Sequence, residues 1–171
     1  MGFTVNIESN YGGEILSNYP TGGKAVFALL SGLQTYCMMN EDIEDWYAQL
    51  EEKSGELFCE KCRELLDCMW GDGGDSSIYY EDEYEFYKKR GGILTEEEFQ
   101  DMVIYSRKAF QPTQKVRDAA LFLLQLFKDK QPEPLEGFYQ DEDTIPDFEA
   151  LVANLDLLIQ RGSQNVRLNF S

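Results

Sequence analysis

The run from Ala119 to Phe127 is the feature of this sequence that most constrains its fold. Every residue in it except Gln125 is apolar. A helix that is apolar on all sides lies inside a core, unless a membrane or a partner covers it. The run is much shorter than the roughly 20 apolar residues that span a bilayer. We therefore predict a central buried helix from Thr113 to about Lys130, capped by Thr113, with the other elements packed around it.

Apolar residues at helical spacing predict further helices before and after this run. Thr95 and Glu98 form a capping box, and Gly162 is a typical C-terminal cap. Gly55, with Ser54, is expected to bend or split the second helix. The segment 131–143 is predicted to be a long loop, and loops of this kind often carry function. The additional helices are expected near 21–37, 40–70, 78–90, 95–110 and 144–161. For residues 78–87 an extended conformation is the alternative, because tyrosines also suit strands.

Both ends of the sequence alternate between apolar and polar residues. Phe3, Val5 and Ile7 do so near the start, and residues 166–170 do so at the end. A period of two is typical of a β-strand. We predict that these two strands pair and lie against the helices, because an isolated pair would be marginally stable. The predicted fold is a single helical domain over 1–171, mainly α with a minor β element, in which five or six helices surround the central one.

The strongest compositional signal is the net charge of −17, with 32 acidic residues against 15 basic ones. Such a field repels nucleic acid and anionic membranes and favours basic partners or cations. The simpler interpretation is that the acidity only confers solubility. The sequence contains no histidine, which removes the commonest general base and metal ligand. The composition therefore disfavours an enzyme, and no motif indicates a cofactor.

The first residues contain no basic run followed by an apolar stretch, so the sequence predicts neither a signal peptide nor a membrane anchor. The default compartment is the cytoplasm, where the cysteines would stay reduced. The oligomeric state cannot be deduced from these patterns.

Four cysteines, Cys37, Cys59, Cys62 and Cys68, form the first candidate for chemistry. Four thiolates can hold a structural zinc ion, although such sites usually contain two CxxC pairs and this sequence has one. On an ideal helix Cys68 would face the apolar side and Cys59 would point away from it. A redox dithiol is a further alternative, but it usually requires the first cysteine at a helix N-terminus. Ordinary structural thiols are the simplest interpretation.

Acidic clusters are the second candidate for chemistry. Residues 72–75, 81–85 and 141–143 carry carboxylates that could bind calcium. A loop that begins at Asp72 has Ser77 where an EF-hand requires glycine, and a loop that begins at Asp141 has neither that glycine nor the final glutamate. The fragment Gly22-Gly23-Lys24 similarly lacks the first glycine and the Ser or Thr of a phosphate-binding loop. We therefore expect solvated acidic surfaces rather than dedicated metal or phosphate sites.

Tyrosines alternate with acids between residues 78 and 87, and this segment is the preferred candidate for partner binding. Tyrosine is enriched at interfaces because it buries a large rigid surface while keeping a polar group. Acids beside it would steer a basic partner. The alternative is that these tyrosines pack on the core. Together with the acidic run of the long loop, the predicted partner-binding residues are Tyr79, Tyr80, Glu81, Asp82, Glu83, Tyr84, Glu85, Asp141, Glu142 and Asp143.

These observations favour a non-enzymatic, acidic protein-binding or regulatory module that docks a basic protein. An inhibitor, an immunity-type protein and a mimic of nucleic acid charge all belong to this class. One alternative is a metal- or thiol-dependent protein that uses the four cysteines. Another is a structural subunit held in a complex by apolar surface. Neither direct nucleic-acid binding nor membrane binding is expected, because the net charge is strongly negative.

Overall fold

The computed structural model describes residues 5–9, 15–16, 23–30, 41–70, 84–131 and 133–170. The described part is mainly helical with a small sheet, as predicted. Its helices are residues 24–30 (α1), Glu41–Asp67 (α2), Tyr84–Lys89 (α3), Glu96–Lys108 (α4), Thr113–Lys128 (α5), Glu136–Tyr139 (α6) and Thr144–Gln160 (α7), with a 3₁₀ turn at Glu133–Leu135. Its strands are Val5–Ser9 (β1), Ile15–Leu16 (β2), Met69–Trp70 (β3), Gln111–Pro112 (β4) and Asn165–Phe170 (β5).

Strand β5 organises the sheet. It pairs antiparallel with β1, so that Val5 lies opposite Phe170 and Ile7 opposite Leu168, which confirms the predicted pairing of the terminal strands. Strands β3 and β4 also pair with β5, in parallel and antiparallel directions respectively, and β2 pairs with β1. The sequence did not predict β3 and β4, because two residues are too few to show a period.

The two faces of the β1–β5 pair differ in chemistry. Ile7 and Leu168 are fully buried in the main core. On alternate positions Arg167 donates from Nε to Glu8, and Asn169 donates from Nδ2 to the other oxygen of Glu8. All three polar side chains are buried. Both faces of the β1–β5 pair are therefore covered, and the guanidinium of Arg167 balances the negative charge of Glu8.

Helix α5 packs against α7 and α2 at the centre of the fold, which confirms the central helix. Its buried residues include Val116, Leu123 and Phe127. The expectation of burial on all sides is wrong, because Leu121 is 37% exposed and Gln125 faces solvent, where its amide donates to Asp129. The neighbouring helices cover one side of α5, and its outer side is mostly polar, with Leu121 as an exposed apolar residue among polar ones.

Local signals fixed several boundaries correctly. Gly55 has φ 78° and ψ 166°, so α2 is kinked there. The Thr95–Glu98 capping box is present at the start of α4. Gly162, with φ 87°, follows α7, and the amide of Ser163 donates to the carbonyl of Leu158 across it, as in a Schellman cap.

Two expectations about local structure are wrong. Thr113 does not cap α5; Pro112 occupies the cap position, and the hydroxyl of Thr113 lies 3.0 Å from that of Ser163. The segment 131–143 is not one long loop, since it contains the 3₁₀ turn and α6. Short helices of this kind show too little periodicity to be recognised in a sequence.

Candidate functional site

A cavity of about 290 Å³ opens between α1 and the segment that joins α6 to α7. We call it the acidic cleft. Its apolar surface comes from Ala25, Ala28 and Phe138, and carboxylates from the predicted acidic run stand beside it. Its lining residues are Lys24, Ala25, Ala28, Gly137, Phe138, Asp141, Asp143 and Thr144.

The two walls of the acidic cleft are joined by Asp147. This residue is fully buried on α7, and its Oδ2 accepts a hydrogen bond of 2.9 Å from the backbone N–H of Ala25. A carboxylate is favourable at a helix N-terminus, where unpaired N–H groups and the helix dipole attract negative charge. A protein carboxylate therefore occupies the start of α1.

Hydrogen bonds from backbone amides hold the acidic run at the edge of the cleft. Oδ1 of Asp141 accepts from the amide of Asp143 at 2.9 Å, and the carbonyl of Asp141 accepts from the amide of Thr144 at 3.2 Å. The amide of Asp147 donates to the carbonyl of Asp143 at 3.0 Å. The carboxylates of Asp141 and Asp143 therefore stand at the start of α7, where the dipole favours them. Glu142 lies between them and is exposed.

Thr144 gives the cleft wall an unsatisfied polar group. The residue is 1% exposed, and its Oγ1 has no hydrogen-bond partner among the atoms described. A buried polar group left in this state costs roughly 1–3 kcal/mol. A hydroxyl both donates and accepts, so a partner of either kind that reached it would recover part of this free energy.

The tyrosine–acid segment lies only partly within the described structure. Tyr79, Tyr80, Glu81, Asp82 and Glu83 fall outside the described residues. Tyr84 is half-buried, its hydroxyl donates to the carbonyl of Leu94 at 3.1 Å, and its ring lies 5.6 Å from that of Phe99. Glu85 is exposed. Tyr84 therefore packs within the folded protein against Leu94 and Phe99, while a docking role for the segment remains a prediction.

The cysteine positions correct one detail of the sequence analysis. Cys59, Cys62 and Cys68 are all buried in the main core, so the expectation that Cys59 points away from it is wrong. After the kink at Gly55, one side of α2 faces the core, and this side carries Phe58, Cys59, Cys62 and Leu65 at helical spacing. Cys68 follows the last residue of α2, so helical spacing does not set its direction.

Cys68 is held as a neutral thiol. Burial, and to a smaller extent the charge of Asp67, raise the pKa of Cys68 to about 12. Its Sγ donates to the carbonyl of Leu65 at 3.1 Å. Metal ligation and disulfide exchange both require the thiolate. Among the described residues no group of three or more cysteines or carboxylates is arranged to hold a metal ion; Cys37 lies outside them.

A second cavity, of about 260 Å³, lies between the end of α2 and the α4–β4 junction. It carries one acid, Asp67, and one base, Lys108, beside the apolar side chains of Leu66 and Met69. These two opposite charges offset each other, so the second cavity has no preference for a charged partner. The acidic cleft therefore remains the better candidate.

The acidic cleft combines residues that sequence reasoning identified with residues that it missed. Asp141 and Asp143 were predicted from their charge. Ala25, Phe138 and Asp147 were not, because nothing local shows that α1 meets the start of α7. The only available signal for Asp147 was its position in the first turn of a predicted helix, where acids are common for electrostatic reasons alone.

Comparison with known proteins assigns no family. No protein-family model matches the chain, and neither the curated proteins nor the solved structures include a significant match. Among the helices that the structure describes, none combines the length and the apolar character needed to cross a bilayer.

Proposed function

We propose that this protein is an acidic, non-enzymatic binding module that docks a basic segment of another protein in the acidic cleft. One observation carries the proposal: the carboxylates of Asp141 and Asp143 stand beside an apolar surface made by Ala25, Ala28 and Phe138. Exposed carboxylates alone are common on an acidic protein. A cavity that offers apolar contact and negative charge together fits a particular kind of side chain.

Lysine and arginine side chains match this combination. Each has an apolar stem that packs on hydrophobic surface and a cationic group that stays at the polar edge. The stem would contact Phe138, and the cation would bind Asp141 or Asp143. Arginine is the better fit, because its planar guanidinium can bind a carboxylate through two hydrogen bonds.

Lys24 would set the orientation of the bound segment. It lines the same cavity and is exposed. A basic group on the partner is repelled from the Lys24 side and attracted to the Asp141 and Asp143 side. The net charge of −17 adds long-range steering of basic partners, which raises the rate of association more than the affinity. An inhibitor of a basic protein and a mimic of nucleic acid charge would both use such a surface.

The proposal includes the cytoplasm as the compartment. Three buried thiols, Cys59, Cys62 and Cys68, support it, because cysteines remain reduced there.

The test uses a fluorescein-labelled peptide of alternating arginine and leucine as the probe, with binding followed by fluorescence anisotropy. The test variant is Asp141→Lys/Asp143→Lys. The matched control is Glu97→Lys/Asp101→Lys, which changes the net charge equally on the exposed surface of α4. We expect the cleft variant to bind at least about tenfold more weakly than the control, because like charges at a contact are strongly unfavourable. Equal losses in the two variants would overturn the proposal, since they would show a response to net charge alone.

A further inference from the structure

The turn between α3 and α4 is a second surface with a defined shape. We call residues 86–94 the basic turn. It contains the run Lys88-Lys89-Arg90 in a chain whose net charge is −17. At its tip the side chain of Ile93 is 89% exposed. Beside it, the guanidinium of Arg90 lies over the ring of Phe86, 5.1 Å from its centre, and Phe86 is itself 36% exposed.

The backbone of the basic turn is held in place from several directions. Gly91 has φ 89°, and the amides of Gly91 and Gly92 donate to the carbonyls of Lys88 and Tyr87, which closes a Schellman cap. The hydroxyl of Tyr87 accepts from the amides of Ile93 and Leu94 at 3.0 and 3.1 Å. Ile93 is therefore an exposed apolar side chain on an ordered turn.

The hydrogen-bonded backbone of the basic turn lowers the conformational entropy that is lost when Ile93 enters an interface. A flexible loop loses conformational entropy when it binds, whereas a turn fixed beforehand loses less. A single exposed isoleucine is ordinary on a protein surface. An isoleucine fixed at the tip of a turn, next to a half-exposed phenylalanine and a row of bases, has the composition of an interface centre with a charged rim.

The chemistry that complements the basic turn is an apolar cavity with carboxylates at its edge, and the same chain provides one. We infer that the basic turn of one copy docks in the acidic cleft of a second copy. Ile93 would contact Phe138 of the second copy, and Lys89 and Arg90 would face Asp141 and Asp143. The inference rests on the proposed function, because it names the basic partner of that cleft as another molecule of this protein.

The two surfaces are different parts of the chain, so the contact is head-to-tail. Each molecule that docks its turn leaves its own cleft open to the next one. Such contacts build rings when the rotation closes and open chains when it does not. The assembly therefore grows with concentration and passes through species larger than a dimer.

The net charge opposes this association and gives it a characteristic response to salt. Two molecules of charge −17 repel at long range at low ionic strength. At about 0.15 M salt the screening length is roughly 8 Å, so this repulsion is reduced while the contacts in the cleft remain. At about 1 M it falls to roughly 3 Å, and the charge pairs at the contact weaken too. Self-association should therefore be strongest at an intermediate salt concentration, between low salt and about 1 M. Binding of an oppositely charged foreign partner would instead weaken steadily as the salt concentration rises.

The experiment is sedimentation velocity on the full chain from micromolar to millimolar concentration at 0.15 M salt. We expect the weight-average sedimentation coefficient of the wild type to rise with concentration. Ile93→Asp should weaken association at least about tenfold, because it puts a carboxylate at the contact beside Asp141 and Asp143. The matched control Ile104→Asp makes the same change at an isoleucine that is 50% exposed on α4. It should still associate. Thermal unfolding confirms that each variant is folded.

The decisive test mixes two variants in which the charges of the cleft or of the turn are reversed. One chain carries Asp141→Lys/Asp143→Lys in the cleft, and the other carries Lys89→Glu/Arg90→Glu in the turn. Each alone should remain monomeric, since its cleft and turn have the same sign. Their mixture should associate, because each cleft now meets a turn of opposite sign. A mixture that stays monomeric, or a wild type that is monomeric at every concentration, would overturn the inference. The labelled peptide would still bind that monomeric wild type if the proposed function is correct, and it would not bind if both fail.

Discussion

The carboxylate of Asp147 and the backbone N–H of Ala25 are 122 residues apart in sequence and 2.9 Å apart in the fold. This hydrogen bond joins the start of α1 to the first turn of α7, and the acidic cleft lies between them. The shape of the cleft therefore depends on a side chain that is itself completely buried.

Replacing Asp147 should loosen the cleft and destabilise the fold. In Asp147→Ala the amide of Ala25 loses its acceptor and α1 loses its cap, which together should cost about 2–3 kcal/mol of unfolding free energy. Asp147→Asn keeps an acceptor of the same shape and should cost less. Urea denaturation measures both values. An alanine variant as stable as the wild type would contradict the capping role.

Thr144→Val should separate folding from binding. Valine has nearly the shape of threonine and removes the buried hydroxyl that has no partner, so stability should be unchanged or slightly higher. Because that hydroxyl is buried behind the surface of the cleft, the affinity for the labelled peptide should stay unchanged. Anisotropy and urea denaturation on the same preparation give both values. A large loss of stability would show that the hydroxyl is satisfied in the folded protein.

Gly92→Ala should disrupt the basic turn. An added Cβ at this position would clash with the ring of Tyr87, so the ring must move away, and the hydrogen bonds from the amides of Ile93 and Leu94 to its hydroxyl must weaken. We expect a loss of about 1–3 kcal/mol, as for other overpacked sites. Gly137→Ala is the control, because a Cβ there meets no atom within 4 Å. Thermal unfolding that ranks these variants in the opposite order would refute the steric argument.

Lys130→Gly should stabilise the end of α5. Lys130 has φ 57°, a left-handed conformation that costs a residue with a side chain roughly 1 kcal/mol and costs glycine almost nothing. The amide of Gln131 donates to the carbonyl of Leu126 across it, as glycine-ended helices do. We expect a gain of about 0.5–1 kcal/mol in urea denaturation. The control Lys115→Gly, inside the helix, should lose stability instead.

Alkaline pH should destabilise the protein through Cys68. Its folded pKa is about 12 against an ordinary value of 9.0, so between these values the unfolded chain loses a proton that the folded protein keeps. Stability should then fall as pH rises above about 9, by up to about 1.4 kcal/mol per pH unit. Cys68→Ala should make this slope shallower. Urea denaturation between pH 8 and pH 10, compared for the two proteins, measures the difference; an identical slope would rule out Cys68 as its source.

Local chemistry in the sequence was sufficient for much of the fold. The alternation of Val5 and Ile7 predicted β1, the Thr95–Glu98 capping box predicted the start of α4, and Gly162 predicted the end of α7. In each case a hydrogen bond or a backbone angle is decided within a few residues. The charge of Asp141 and Asp143 was likewise visible without a structure.

Relationships between distant segments could not be obtained in this way. The apolar wall from Ala25 meets Asp141 only because α1 packs beside α7. Cys59 is buried only because the side of α2 that it shares with Phe58 and Cys62 packs into the core. The exposure of Ile93 depends on how Tyr87 folds the turn back on itself. Such contacts arise from tertiary packing, and no short pattern in a single sequence reports them.

The position of β5 has a consequence for how the molecule folds. This strand pairs with β1, β3 and β4, and Arg167 meets Glu8 across 159 residues of sequence. Pairing of such separated segments requires a large loop to close first, which slows folding. During synthesis β1 leaves the ribosome long before its neighbour exists. The helices therefore have time to assemble first, and the pairing of β1 with β5 becomes the late step of folding.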